Sequence, residues 1–439
     1  MHEPAPSQPK PWIGLVIVAS LGYFVDIYDL ILFNVVKNAS LKELGFAVGS
    51  DAFKAAEVLL FNWQMAGMLV GGLLFGILGD RKGRVSALFG SILLYSLANL
   101  GNAFVQDLGT YQVLRFLAGV GLAGELGAGV TLVAETMPRR IRGWGTVIIV
   151  SFGTLGAVAA FVVGKELGWR NAFIAGGVMG LALLVVRMRS FESGMFKKLS
   201  SDGVPGRGNF LRLFDSSERA LRYLSCIAVG LPIWFVVGVL VALCSRFAIA
   251  GGASPDIVVG QAVVWAYVGI SFGDLVSGFL SQMLGSRRKV IAAYLVFLTA
   301  VSTVYLTSQG LSAAQFYTLT FLLGTGVGYW ALFVTMASEQ FGTDIRSTAA
   351  NTVPNFVRGA VVPITLSFTA LSTEISAKPA SPRFSVWDLF PEFSVRTFIP
   401  VISVPAAAAV VGGVCLVLAI AGLANLKESF GKDLDYLEG

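Results

Sequence analysis

A few ionisable residues interrupt the long apolar stretches of the sequence, and these residues are the ones best suited to chemistry. Asp26 and Asp29 lie in the first stretch, Arg115 and Glu125 in the fourth, and Arg358 in the eleventh. An ionised side chain in apolar surroundings is costly unless it is paired or faces water. Each of these residues is therefore a candidate for moving a proton or binding a charged solute.

The spacing of the two aspartates predicts a proton switch. Asp26 and Asp29 share one helix face, roughly 21 and 26 Å from the start of the helix at Trp12. Arg115 opens a helix that runs in the opposite direction, so it can form an ion pair with Asp29 at that depth. Because arginine stays protonated, it holds a carboxylate ionised until the two separate and the carboxylate takes a proton. The alternative is a static pair that only fixes helix packing, with Asp26 as its hydrogen-bonded neighbour.

Glu125 is a second candidate for carrying protons. Gly121 and Gly129 lie about one turn to either side of it, and small residues let another helix approach that face. A carboxyl group in such dry surroundings favours its neutral, protonated form. Glu125 is thus either a proton carrier or a permanently neutral group that bonds to the facing helix.

Arg358 is the candidate substrate ligand. It lies near the middle of the eleventh apolar stretch, about one turn from Pro354. A fixed positive charge at that depth would bind a carboxylate or phosphate, and an ion pair with Asp274 of the eighth stretch is the alternative. Amide and aromatic residues that could line the same space, or only join and pack helices, are Asn34, Asn62, Gln64, Gln261, Asn351, Asn355, Trp234, Trp265, Tyr267, Tyr329 and Trp330.

The composition shows what kind of chain positions these residues. Of 439 residues 55% are hydrophobic and 13% are charged, with a mean hydropathy of +0.75. Soluble domains carry roughly a quarter charged residues, so an integral membrane protein is predicted and a soluble enzyme is excluded. The single histidine is His2, and the three cysteines lie in apolar stretches without paired spacing. We therefore expect no catalytic site, no metal site and no cofactor.

The apolar stretches predict an all-α membrane protein. A helical span needs about 20 mostly apolar residues, and the sequence holds twelve such stretches. They lie near 12–36, 56–78, 85–105, 111–135, 143–164, 170–188, 221–248, 258–283, 290–308, 314–338, 349–372 and 398–425. Most of the 32 Lys and Arg residues fall in loops on the side of the two tails. This bias predicts that both termini are cytoplasmic.

The longest connection on the tail side divides the spans into two groups of six. It is polar, basic and punctuated by Gly and Ser, which is typical of a linker. The predicted organisation is an N-terminal tail at 1–11, a six-helix bundle at 12–189, a linker at 190–220, a second six-helix bundle at 221–425 and a C-terminal tail at 426–439. The segment 373–397 is a long outer loop to which we assign no role.

The two halves repeat each other in sequence. The stretch AGMLVGGLLFGILGDRKGRV, which begins at Ala66, matches FGDLVSGFLSQMLGSRRKVI, which begins at Phe272. Glu135 likewise corresponds to Glu339, and both matches occupy the same place relative to their spans. Two homologous bundles in parallel orientation are predicted, with a cleft between them at the middle of the membrane.

Three motifs carry a resemblance to a known family: GDRKGR at 79–84, RFLAGVGLAGELGAG at 115–129 and ETMPRRIRG at 135–143. With them the chain resembles the major facilitator superfamily, and within it the metabolite:proton symporters and related sugar and organic-ion porters. The resemblance implies two pseudo-symmetric bundles that rock about a central site without chemistry on the solute. It also supports the Asp29–Arg115 switch and substrate binding by Arg358, because relatives carry such residues in the same spans.

The resemblance further implies a latch at the tail-side ends of the helices. Gly79 and Gly83 would permit tight turns, and Asp80 would lie at the start of the third helix. An ion-pair cluster there would hold the two halves together and break on opening, with a purely topogenic role for the arginines as the alternative. The second-half loop GSRRK departs from the pattern, since Ser286 stands where an acid is expected. The predicted latch residues are Gly79, Asp80, Arg81, Gly83, Arg84, Glu135, Arg142, Glu339 and Arg346.

These observations predict a secondary active transporter of a small organic metabolite, anionic or zwitterionic, working by alternating access. The expected partners are that solute, a coupling proton with sodium as the alternative, and the lipid bilayer, with no nucleic acid. We expect a monomer in the cytoplasmic (inner) membrane, coupled as a symporter. The alternatives are a proton-driven efflux antiporter of organic or drug-like solutes and a non-transporting receptor with the same fold.

Overall fold

The computed structural model describes residues 11–82, 84–125, 142–192, 210–342, 345–372 and 402–431. All regular structure within these ranges is helical. The α-helices are α1 Pro11–Glu43, α2 Asp51–Lys82, α3 Arg84–Asn102, α4 Leu108–Leu122, α5 Arg142–Thr154, α6 Gly156–Glu192, α7 Ser217–Phe235, α8 Cys244–Ala250, α9 Val259–Leu284, α10 Arg287–Thr307, α11 Ala313–Val327, α12 Trp330–Glu339, α13 Arg346–Gly359, α14 Val361–Ser372 and α15 Val404–Asn425. A 3₁₀ turn, Phe210–Phe214, precedes α7, and a π-helical turn, Val236–Val241, follows it.

These helices supply twelve spanning segments. Several spans are built from two pieces: α5 with the start of α6, α7 with α8, α11 with α12, and α13 with α14. Gly168, with a φ of 77°, ends the fifth span and begins the sixth within α6, a backbone angle that glycine adopts without strain. By length and composition, eight described helical stretches are able to cross a membrane. We call α1–α6 the first half and α7–α15 the second half.

The tail end is the end where α1 begins and α15 ends, and the far end is the opposite one. Two predictions at the tail end are wrong, because α2 continues as a helix to Lys82. Gly79 is therefore helical rather than a turn residue, and Asp80 lies in the last turn of α2 rather than at the start of the next helix. Hydropathy locates only the part of a helix that lies in lipid, and a helix continues into water without changing its backbone bonds.

The entry of the fourth span is fixed by a capping residue outside the membrane. Asp107 accepts hydrogen bonds from the backbone N–H of Thr110 at 2.9 Å and from its hydroxyl at 2.7 Å. These bonds favour the ionised carboxylate and lower the pKa of Asp107. The cap fixes the first turn of α4, which carries Arg115 into the bundle.

The two halves share the same close helix packing. A methyl group on Gly119 of α4 would overlap the carbonyl oxygen of Gln64 on α2, and one on Gly324 of α11 would overlap the carbonyl oxygen of Ala266 on α9. The first contact joins the second and fourth spans, and the second joins the eighth and tenth. Each half therefore uses glycine at the same helix pair, as the sequence repeat predicts.

The two most extensive contacts between the halves are those of α2 with α13 and of α5 with α9. Beside the α2–α13 contact, the Asn355 side-chain amide donates to the carbonyl of Ala123, the residue that follows α4, at 2.8 Å. At the α5–α9 contact, the Ser271 hydroxyl donates to the Ser151 carbonyl at 3.0 Å and also bonds to the Thr154 hydroxyl. Polar contacts between the halves thus form on both sides of the central axis.

We expect Gly324→Ala to destabilise the bundle, because the added methyl group would force α9 and α11 apart. Overpacking of this kind costs about 1–3 kcal/mol, which should lower the melting temperature of the purified protein in detergent. Gly413→Ala on α15 is the matched control, since nothing lies within 4 Å of the methyl group it adds. Equal melting temperatures for the two variants would contradict the packing described.

Candidate transport site

An ion pair at the centre of the molecule joins the two halves. The Nη2 atom of Arg358 on α13 lies 3.8 Å from the Oδ2 atom of Asp26 on α1, and the two side chains are 1% and 0% exposed. Asp274, the alternative partner expected from the sequence, instead accepts the backbone N–H of Ala331 at 2.9 Å. Arg358 is therefore paired across the interface rather than within its own half.

Aromatic residues surround this pair. The Trp330 indole N–H donates to the Tyr23 hydroxyl at 2.9 Å, and Arg358 approaches the same hydroxyl at 3.5 Å. The guanidinium carbon of Arg358 lies 5.5 Å from the centroid of the Trp330 ring, a cation–π distance. Trp234 packs edge-on against Trp330, with ring centroids 6.4 Å apart. The central charge thus has one carboxylate, one phenol and one aromatic face around it.

The predicted Asp29–Arg115 ion pair does not form in this structure. Arg115 donates to the side-chain oxygen of Gln64 and lies 4.8 Å over the Phe33 ring. Asp29 points toward α6, where Gly176 leaves room for its carboxylate. Counting residues along a helix gives the depth of a side chain but not the direction in which it points, so the two residues were placed at one depth and wrongly face to face.

Glu125 contacts an arginine, a partner that neither of the two predictions for this residue included. Both guanidinium nitrogens of Arg187 on α6 contact its carboxylate, with Nη1 2.9 Å from Oε2. The two side chains are 2% and 4% exposed, and Gly22 of α1 leaves the space they occupy. Sequence reasoning missed Arg187, which lies at the tail-side end of the sixth apolar stretch, where basic residues commonly flank a membrane span.

Several residues predicted to line the cleft lie elsewhere. Gln261 and Trp265 are exposed on the surface of α9, Trp265 by 45%. Tyr329 is buried, but its hydroxyl donates to the Val229 carbonyl at 3.0 Å within the second half. Asn34 is buried at the interface, where it lines a small cavity with Thr365 of the second half. A lipid-facing surface is as apolar as a core, so apolar stretches do not reveal which face points inward.

The mid-membrane cleft expected from the sequence is closed. Tyr23 and Asp26 of the first half contact Trp330 and Arg358 of the second, and all four are buried. The structure therefore describes a conformation in which the central site is shielded from both ends of the bundle. The sequence predicts two halves that face each other, but not how far apart they stand in one state of a moving protein.

Sequence reasoning missed a buried ion pair near the far end. Lys37 of α1 contacts the Glu57 carboxylate of α2, and the two side chains are 3% and 7% exposed. The same ammonium donates to the Ala242 carbonyl of the second half at 2.7 Å. Ala242 ends the π-helical turn, and its own N–H bonds back to Val237. Lys37 lies just beyond the first predicted span and Glu57 at the start of the second, and neither was predicted to have a role.

At the tail end the described charges pair within the second half. Arg287 makes two bonds of 2.6 Å to Glu339, and the backbone N–H of Arg287 donates to Glu428 at 3.0 Å. Burial opposes ionisation of Glu428, but bonds from the Ser286 hydroxyl and from backbone N–H groups outweigh it and lower its pKa. Glu428 thus places a carboxylate next to Ser286, the position at which the motif of the first half has an acid.

The other predicted latch residues lie outside what the structure describes. Gly83 and Glu135 fall in undescribed parts of the chain. The side chains of the remaining members are likewise not described, namely Asp80, Arg81, Arg84, Arg142 and Arg346. The latch therefore stays a prediction, and only Glu339 has a known partner.

Twelve spanning helices in two homologous halves, with ionisable residues buried where the halves meet, define a secondary transporter. The chain belongs to the Major Facilitator Superfamily, whose sequence model matches residues 19–361. This confirms the all-α fold of two pseudo-symmetric six-helix bundles. The chain is a multi-pass membrane transporter and not an enzyme.

Individual relatives agree with this assignment. The chain is 27% identical over 370 residues to a probable 4-methylmuconolactone transporter of Cupriavidus pinatubonensis, covering 81% of this chain and 82% of the relative. It is 26% identical over 361 residues to a gentisate transporter of Corynebacterium glutamicum, covering 77% and 76%. The proton:xylose symporter XylE bound to 6-bromo-6-deoxy-D-glucose shares the fold, with a TM-score of 0.69 at 16% identity and coverage of 97% and 98%.

We expect the double variant Lys37→Met with Glu57→Gln to open the far end more often. It removes the bond to the Ala242 carbonyl, and a bond from a charged donor contributes about 1.5–3 kcal/mol. Cys244 lies two positions beyond Ala242 and is fully buried, so it reports the opening. Its labelling by a membrane-impermeant maleimide should accelerate about tenfold or more.

The labelling is measured after Cys226 and Cys415, the other cysteines, are changed to serine. Lys165→Met is the matched control, because its exposed side chain, at 68%, lies on the same end of the bundle. Unchanged labelling of Cys244 in the double variant, or equal acceleration in the control, would show that the contact does not hold the halves together.

Proposed function

We propose that the chain is a proton-coupled symporter of a small organic anion, specifically a ring-containing carboxylate, across the cytoplasmic membrane with both termini inside. One observation carries the proposal: Arg358 and Asp26, from opposite halves, form a buried ion pair at the centre of the fold. The orientation rests on the basic loops at the tail end. The cytoplasmic membrane proposed here is the inner membrane of the cell.

The substrate class follows from the surroundings of Arg358. A buried guanidinium is a strong ligand for a carboxylate, often through two parallel hydrogen bonds. Its neighbours Tyr23, Trp330 and Trp234 offer aromatic surface on which a flat ring can pack. Gentisate, which one relative's name gives as its solute, is an aromatic carboxylate and fits this chemistry.

Proton coupling follows from competition for one cation. With no substrate bound, the Asp26 carboxylate neutralises Arg358. A substrate carboxylate that takes over Arg358 leaves Asp26 buried without its partner, and a buried unpaired carboxylate binds a proton. When the substrate leaves, Arg358 draws the Asp26 carboxylate back and the proton is released. Substrate and proton therefore bind together, and each raises the affinity for the other.

Asp26 thus takes the role for which the sequence favoured Asp29. We propose that Asp29, Arg115 and Glu125 do not bind the substrate themselves but hold the helices around the site in position. Gly22, which contacts the Glu125–Arg187 pair, lies one turn before Asp26 on α1, so that pair faces the same region. Asn355 and Gln64 hold the helices on either side of the site.

For the tail-end latch, the repeat supports a specific pairing. Arg81 corresponds to Arg287 and Glu135 to Glu339. Because Arg287 and Glu339 pair through two bonds of 2.6 Å, we propose the same pair between Arg81 and Glu135. Each ion pair would then fix helix packing at the tail end of its own half, with Asp80 in the last turn of α2 and Glu428 beyond the end of α15 as the neighbouring acids.

Asp26→Asn should abolish uphill uptake while leaving exchange intact. The variant cannot ionise, so it binds substrate but no longer exchanges a proton. The measurement is accumulation of radiolabelled gentisate, and then of other ring carboxylates, in proteoliposomes under an imposed pH gradient, with counterflow as the measure of exchange. Asp29→Asn is the matched control and should keep uphill uptake. Accumulation that survives in Asp26→Asn, or that a sodium gradient drives equally, contradicts the proposal.

Arg358 should be required for binding itself. We expect Arg358→Ala to weaken gentisate binding by a hundredfold or more and Arg358→Lys by about tenfold, because lysine keeps the charge but not the fork geometry. Binding is followed by intrinsic fluorescence or calorimetry of the purified protein. Equal affinity in all three forms would assign Arg358 a structural role only, and a failure of every ring carboxylate to bind the wild type would exclude the substrate class.

A further inference from the structure

A groove on the membrane-facing surface of the second half is not part of the transport site. It lies between α10 and α15 and has a volume of about 820 Å³. Ala292, Val296 and Thr299 of α10 form one wall, and Leu416 and Ile420 of α15 form the other. Val296 and Ile420 are 72% and 54% exposed, so the groove is open to its surroundings along its length.

The walls present apolar surface only. Thr299 is the one residue with a hydroxyl on the α10 wall named above, and this hydroxyl donates to the Leu295 carbonyl of its own helix at 2.7 Å. Its methyl group therefore remains for the groove. A groove of this kind at membrane depth suits a hydrocarbon chain.

The groove has the length of one leaflet. From Lys289 to Thr299 the helix rises by about 15 Å, and half of the hydrocarbon core of a bilayer is also about 15 Å. The lining begins at the tail end of the bundle, with Arg288 and Lys289, and continues toward the middle of the membrane. A molecule that fills it would have its head at the tail end and its chain inside the leaflet.

The tail end of the groove is positively charged and has donors to spare. Lys289 is exposed. Arg288 is half-buried, and its Nη2 atom makes only a long bond of 3.4 Å to the Ala424 carbonyl. The nearby acid, Glu428, is already engaged by the Ser286 hydroxyl and by backbone N–H groups. An anionic group arriving at this end would therefore find two available cations.

We propose that this groove binds an anionic glycerophospholipid, with the phosphate on Arg288 and Lys289 and an acyl chain between α10 and α15. Three independent features support this occupant. The walls are apolar, the groove is as deep as a single leaflet, and its two basic residues both lie at the level of the headgroups. The tail end faces the leaflet that carries anionic lipids if the termini are cytoplasmic. The proposal does not depend on the transported solute.

Native mass spectrometry of the full-length protein, released from nanodiscs of mixed lipids, tests the proposal. The lipids are phosphatidylglycerol and phosphatidylcholine with identical acyl chains in equal amounts. We expect the wild type to retain one phosphatidylglycerol with a preference of up to about 30-fold, since each of two basic residues near the membrane surface contributes about a fivefold gain. Equal retention of the two lipids would overturn the proposal.

Two variants separate the headgroup from the chain. Arg288→Gln with Lys289→Gln should remove most of the preference, whereas Lys427→Gln should not, because Lys427 is a basic residue of the same end that pairs with Glu218 outside the groove. Val296→Trp should fill the groove and release the lipid, whereas Val304→Trp, on an exposed part of the same helix, should not. Melting temperatures check that each variant is folded.

The outcomes are distinct. Loss of retention in both the charge variant and the groove-filling variant supports a lipid bound along the groove. Loss in the charge variant alone would mean that the headgroup only pairs with surface cations, which contradicts binding of the acyl chain in the groove. Displacement by soluble glycerophosphate as effective as by the lipid would contradict it as well.

Discussion

Arg358 carries a permanent positive charge and is 1% exposed between the two halves, so it needs an anionic partner in this closed conformation. An arginine left without one in so dry a position would be strongly destabilising. In this structure the partner is Asp26, and it comes from the other half. Because this cation binds one carboxylate at a time, the substrate and Asp26 compete for it. That competition couples substrate binding to protonation of Asp26 and to the contact between the halves.

The geometry of the central pair differs from that of the other buried pairs. At 3.8 Å it is a single loose contact, whereas the pairs within one half are closer, and two of the three make two bonds each. The loose contact suits an exchangeable partner, and the close ones suit fixed helix packing. Among the described residues the buried pairs within one half are Lys37 with Glu57, Glu125 with Arg187, and Arg287 with Glu339.

Much of this could be predicted from the sequence, because a bilayer restricts the possible folds. Apolar length gave the twelve spans, the repeat at 66 and 272 gave two halves, and the cost of buried charge pointed to Asp26 and Arg358. The rest depends on rotation about helix axes, which apolar stretches do not encode. That is why Arg115 was paired with Asp29 instead of Gln64, and why Trp265 was placed in a cleft although it faces outward.

If a substrate carboxylate and Asp26 compete for Arg358, binding of the substrate must be accompanied by proton uptake. Purified protein in weakly buffered solution with a pH indicator is mixed with gentisate or another ring carboxylate that binds. We expect uptake of about one proton per anion bound, and none in Asp26→Asn. Binding of the anion without proton uptake, or uptake that persists in that variant, would contradict this competition.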